Sequence, residues 1–229
     1  MSGLQIAGYV AIVFFIVFVA AKIIKIARMP IHIRWDLYPI PHERGKGGYG
    51  GSYFEEIDWW TKPSNFSLFS ELRATATEII FVQSLFHHNR PLWYFSFPFH
   101  FGLYCLVGFL ALLLVGGIMG AAGVAVAAGS GSFGALVYYL TLVLGAVGWI
   151  LGILGAVGLF FSRLFGNELR KASVRSDYFN LLILLAVLVS GLVSWATADT
   201  GYAYLRGFVQ GLVTFTPVPQ LPTAVAVQL

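Results

Sequence analysis

Residues Leu85–Gly123 read LFHHNRPLWYFSFPFHFGLYCLVGFLALLLVGGIMGAAG, and this stretch decides the fold. From Trp93 onward it is long enough to cross a bilayer, which takes about 20 mostly apolar residues. One histidine, His100, lies inside the apolar run. A polar side chain at membrane depth is costly, so it faces a partner within a bundle and marks a candidate functional site. Two readings of the imidazole stand open at this point. It is a hydrogen-bonded histidine near the interface, or it is an axial ligand to the iron of a b-type heme.

The composition supports the membrane reading. Of 229 residues, 58% are hydrophobic and 10% are charged, against about 25% charged in soluble domains. The class is therefore an all-α integral membrane protein with room for a single domain, 1–229. A net charge of +4 speaks to orientation in the bilayer, not to a nucleic-acid partner. The lone cysteine, Cys105, sits in an apolar helix and packs as a small hydrophobe. It excludes an intrachain disulfide, a Cys-rich iron–sulfur site and covalent heme at CxxCH. A cleavable signal peptide is not expected, because lysines follow the first apolar run and no A-x-A site ends it.

Working outward, the first apolar run covers approximately 4–28 and ends in Lys22, Lys25 and Arg28. The second covers 93–123, the third 133–163 and the fourth 177–197, giving a bundle of at least four transmembrane helices. Between the first two runs lies a long loop, 29–91. It contains HIRWDLYPIPHERGKGGYGGSYFEEIDWWTKP, where prolines and glycines disfavour regular structure. Gly45-Lys46 lacks the spacing of a phosphate-binding loop. Trp35, Tyr38, Trp59 and Trp60 suit an interfacial belt or a protein contact. Phe66–Phe86 interleaves apolar residues with Glu71, Arg73 and Glu78, the pattern of an interfacial amphipathic helix. His87, His88 and Arg90 before Pro91 read as a solvated turn. In the third run, Gly145, Gly148, Gly152, Gly155 and Gly158 share one face, which lets another helix approach closely. Ser176 and Asp177 read as N-caps of the fourth run. Tyr202–Thr216, with the lone Arg206, reads as a re-entrant or interfacial helix, and TAVAVQL opens a further one.

Charge sets the topology. The stretches Lys22–Arg90 and Arg163–Arg175, from the basic ends of the first and third runs onward, hold nine and four of the fourteen Lys and Arg, while the link AAGVAVAAGSGS holds none. By the positive-inside rule the loops 29–91 and 162–176 are cytoplasmic and the N-terminus is outside.

Three stretches resemble a known family: FPFHFGLYCLVGFLALL, GILGAVGLFFSRLFGNELRKASVRSDYFNLLILL and YLRGFVQGLVTFTP. In this order they resemble the cytochrome b (gamma) subunit of respiratory nitrate reductase. They are closer still to its relatives in sulfate-metabolising respiratory complexes, which pair with heterodisulfide-reductase-like iron–sulfur proteins. The family's second helix ligates heme through a histidine near its cytoplasmic end, which corresponds to His100. A second family histidine about ten residues on is Leu110 here, so a single heme is implied. The family fold has five transmembrane helices, and this sequence stops where the last, with the opposing heme ligands, is expected to begin. The other four histidines (His32, His42, His87, His88) lie in the polar loop. The second ligand is therefore expected from residues beyond this sequence or from another subunit.

The resemblance implies an electron-transfer subunit of a prokaryotic inner-membrane complex, either non-catalytic or reacting with quinone. It implies heme b on His100, propionates near Arg163 and Arg175, and a menaquinone-type quinone as exchangeable substrate. It also implies a cytoplasmic iron–sulfur partner of the heterodisulfide-reductase-like type, with other membrane subunits and multiheme cytochrome c subunits as further partners. For Arg163 and Arg175 the alternative is ordinary contact with headgroups. For the whole chain it is a non-redox helical anchor that tethers a peripheral partner through the 29–91 loop. A transporter would need polar midplane residues or broken helices, which the third and fourth runs do not offer.

Overall fold

The computed structural model describes residues 2–29, 58, 61, 68–218 and 220–229. His32, His42, Trp35, Tyr38, Trp59, Trp60 and the glycine-rich part of the long loop lie outside the described residues. Among the described residues there is no strand. The helices are α1 (Gly3–Ala27), α2 (Leu68–Phe81), α3 (Gln83–His88), α4 (Arg90–Ala121), α5 (Ser132–Phe165), α6 (Asn167–Ala172), α7 (Arg175–Thr197), α8 (Ala203–Thr214) and α9 (Thr223–Gln228). Four of them, α1, α4, α5 and α7, are long and apolar enough to cross a membrane. The protein is an all-α, multi-pass membrane protein.

The chain forms two compact units, Met1–Phe14 with Arg90–Leu229, and Phe15–Asn89. In the smaller unit the amphipathic stretch is two helices instead of one. Val82 takes a left-handed conformation, φ 50°, between α2 and α3, a backbone state that a β-branched residue rarely adopts. The Glu78 carboxylate accepts the Ser84 amide at 2.9 Å and holds this corner. His87 and His88 end α3 and Arg90 opens α4, so the expected turn is reduced to Asn89. Pro91 fits because the first helical turn has amides without internal partners anyway.

The larger unit is built on glycine. A Cβ at Gly102 of α4 would stand 2.5 Å from the Gly152 nitrogen and 3.0 Å from the Gly148 oxygen of α5. Cβ atoms at Gly155 and Gly158 would strike the Phe99 backbone and the Phe95 ring. Residue numbers rise along α4 as they fall along α5, so the two helices run antiparallel in backbone contact. Hydrocarbon tails are as apolar as the helices, so close van der Waals fit, not water exclusion, drives such pairing. On the next side of α5, Gly152 meets Leu188 and Trp149 meets Gly191 of α7. Phe109, Leu113, Trp149, Ala156 and Leu188 form the buried centre.

α7 starts at Arg175, with Val174 as the cap residue. Asp177 therefore sits in the first turn, where its carboxylate accepts the Val174 amide at 3.0 Å. The expectation that Ser176 or Asp177 itself is the cap residue is corrected: Asp177 supplies the carboxylate half of a capping box from inside the first turn, and its own amide donates to the Val174 backbone carbonyl at 3.0 Å, since valine has no side-chain acceptor. α8 packs on the far end of α4, where Gly116, Gly117 and Gly120 make room for Arg206, Val209 and Gln210. The first turns of α1 are tied to the segment after α8. Gln5 is fully buried and donates to the Thr216 carbonyl at 2.7 Å, and Tyr9 donates to the Leu212 carbonyl at 2.7 Å.

Candidate functional site

His100 sits half-buried on α4, ten residues from its start, a rise of about 15 Å. Its Nδ1 lies 2.7 Å from the backbone oxygen of Ser96, one turn back. A carbonyl can only accept, so Nδ1 carries the proton and the lone pair stays on Nε2. That is the tautomer a metal-ligating histidine takes when its other nitrogen is fixed by a carbonyl. The Ser96 hydroxyl, 3.4 Å from the same nitrogen, and the edge of Phe99, with centroids 5.4 Å apart, hold the ring further. Trp93, Phe97 and Phe101 stack in a ladder beside it, with centroid spacings of 4.9 and 5.7 Å.

Helical spacing places His100 on one face with Val107, Leu114 and Ile118. These three are 66%, 48% and 50% exposed, whereas the face toward α5 is packed shut. The imidazole therefore belongs to the open side of α4, where a flat apolar group could lie against it. Among the described residues no group of three or more His, Cys, Asp and Glu could hold a bare metal ion. A heme, whose porphyrin supplies nitrogen donors of its own, would need from this chain one imidazole, and His100 fits that demand.

The other sequence-derived residues lie at the basic end of the unit. Arg163, in the last turn of α5, pairs with Asp177 at 3.5 Å, each side chain 35% exposed. Its backbone oxygen accepts the Tyr178 hydroxyl at 2.9 Å, which ties α5 to α7. Arg175 is exposed in the first turn of α7. Arg163 is not drawn against His100: Gly155 is the α5 residue level with Phe99, and Arg163 lies about 12 Å of helical rise beyond it. Leu110, where the second family histidine would fall, is 62% exposed.

A second polar cluster, at the other end of α4, escaped the sequence reading. Tyr202 is fully buried in a left-handed conformation, φ 53°. Its hydroxyl accepts the Trp149 indole N–H at 3.1 Å. Asp199, 3% exposed, accepts the Leu205 amide at 3.0 Å. Arg206, 9% exposed, donates to the Gly201 carbonyl at 2.7 Å and lies over the Tyr138 ring at 5.4 Å. Burial pushes the Tyr202 phenol well above its ordinary range. Burial also lowers the Arg206 guanidinium, with Asp199 and Tyr138 opposing. The available signal was charge: Arg206 is the one basic residue outside the two basic segments.

The model of one protein family, described as nitrate reductase gamma subunit, matches residues 73–229. No curated protein and no solved structure matches the chain.

Proposed function

We propose that this chain, which belongs to the nitrate reductase gamma subunit family, is a membrane electron-transfer subunit of a respiratory oxidoreductase complex. It carries one b-type heme on His100 and passes electrons between a menaquinone-type quinone and a cytoplasmic iron–sulfur subunit. That partner is of the heterodisulfide-reductase-like type. The observation that carries the reading is the fixed tautomer of His100, with Nδ1–H bound to the Ser96 carbonyl and Nε2 left as ligand on the exposed face of α4. A bound heme supplies a one-electron couple whose potential depends on ligand, hydrogen bonding and burial.

The chain's own residues orient and hold. The Ser96 carbonyl fixes the plane of the imidazole. Arg163 and Arg175 stand on the basic rim nearest His100 and would meet propionates through charge-assisted bonds, Arg163 sharing its charge with Asp177. The charge asymmetry supports a rim on the cytoplasmic side and an N-terminus outside. In that orientation a cytoplasmic iron–sulfur partner would approach from the side of the basic rim.

The test is heme content of the purified complex by pyridine hemochrome. The proposal expects one heme b per chain in the unaltered protein and none assigned to this subunit in His100→Ala. Insertion should persist, since it depends on the apolar runs. Unchanged heme in that variant would remove His100 from the site.

A further inference from the structure

We propose that the groove beside Arg206, at the end of α4 opposite the basic rim, binds the phosphate diester of a membrane phospholipid. The groove encloses about 400 Å³ and is lined by Gly116, Gly120, Val124, Val126, Arg206 and Gln210, among others. Among the described residues no carboxylate lines it, and Arg206 is its one charged residue. Gly116 and Gly120 form its floor. A Cβ at the first would stand 2.9 Å from the Arg206 Cδ, and at the second 2.7 Å from the Gln210 side-chain oxygen. The space therefore exists because α4 offers hydrogen atoms where other residues would offer methyls.

The guanidinium has donors to spare. Nη2 is bonded to the Gly201 carbonyl, whereas Nη1 is buried with no hydrogen-bond partner among the described residues. Nearly every buried donor in a native fold is paired, so an orphan on a charged group asks for a ligand. Thirteen of the fourteen basic residues lie in the two segments Lys22–Arg90 and Arg163–Arg175, and one buried arginine at the opposite end runs against that bias. An oxyanion on a guanidinium gives short, strong, geometrically specific bonds.

The choice of phospholipid follows from size and charge. Free phosphate would engage Arg206 and leave most of the glycine- and valine-lined space empty. A glycerophosphate headgroup fills it. Asp199, buried close by and bonded to the Leu205 amide, offsets part of the positive charge. A monoanionic diester suits the remainder better than a doubly charged free phosphate. The end of a membrane-spanning helix is also the depth at which headgroups lie.

The experiment compares phospholipid retention in the detergent-purified complex by native mass spectrometry, with phosphatidylglycerol added back after delipidation. Ala203→Trp places a large ring in the groove from the exposed first residue of α8. Arg206→Gln removes the charge and Arg206→Lys keeps it. Retention should fall about tenfold or more in the first two, the scale of a lost charge-assisted bond, and less in Arg206→Lys. Retention unchanged in Ala203→Trp, which leaves the Arg206 contacts intact, would overturn the proposal even if Arg206→Gln failed to fold. Displacement of the lipid by excess inorganic phosphate alone would equally overturn it, because the site would then read only the anion.

Discussion

Adding one methyl group at Gly102 should loosen the whole α4–α5 pair. The new Cβ of Gly102→Ala would lie 2.5 Å from the Gly152 nitrogen, 2.9 Å from its Cα and 3.0 Å from the Gly148 oxygen. All three are backbone atoms, so no rotamer change relieves the clash. Restoring ordinary contact at about 3.5 Å requires the helices to separate locally by roughly 1 Å. A gap of that size forfeits a quarter to a half of each contact's attraction, about 0.05 kcal/mol per atom pair. Some 20–40 pairs across Gly102, Gly148, Gly152, Gly155, Phe99 and Leu106 then lose about 1–2 kcal/mol, within the usual cost of overpacking. Gly108→Ala is the matched control, because its Cβ meets only the flexible end of Leu144, at 2.9 Å. Thermal unfolding of the detergent-solubilised protein should show Gly102→Ala clearly destabilised and Gly108→Ala much less so. Equal midpoints for the two variants would refute backbone contact between α4 and α5 at this level.

Tyr202→Phe should cost about 1–3 kcal/mol, because it leaves the buried Trp149 N–H without its acceptor; denaturant titration measures it. The same variant has a pH signature. A phenol whose folded pKa is raised contributes stability below its unfolded value of about 10 and loses it as pH rises beyond that, so alkaline unfolding should be shallower in Tyr202→Phe. Asp177→Ala should destabilise by about 1 kcal/mol through loss of the Val174 amide contact. A double-mutant cycle of Asp177 with Arg163 should give a coupling below about 1 kcal/mol that shrinks with added salt, because the pair is one-third exposed.

The spans were legible because membrane crossing is written in length and hydropathy, and no packing partner is needed to see it. The glycine face of α5 could also be read, since steps of three and four repeat on one side of a helix. Its partner could not: Gly102, Phe99 and Phe95 do not announce which neighbour they will touch. Boundaries failed where a local rule was overridden. Val82 and Tyr202 take left-handed conformations that their side chains disfavour, and Asp177 caps from inside the helix instead of preceding it. For His100 the sequence offered two readings of one imidazole, and only the position of the Ser96 carbonyl distinguishes which nitrogen keeps its lone pair. Arg206 was visible as an exception to the charge pattern. Its burial and its orphan nitrogen come from contacts with Gly116, Tyr138 and Gly201, which are far apart or unremarkable along the chain.

The central claim is that the Nε2 of His100 ligates heme iron, and chemical rescue tests it most directly. His100→Gly removes the imidazole while leaving space for a free one, so the purified complex should lose the heme absorbance of this subunit. Reconstitution with hemin and added imidazole should restore a low-spin spectrum, whereas hemin without imidazole should not. A His100→Gly complex that keeps its native low-spin spectrum without imidazole would contradict the account.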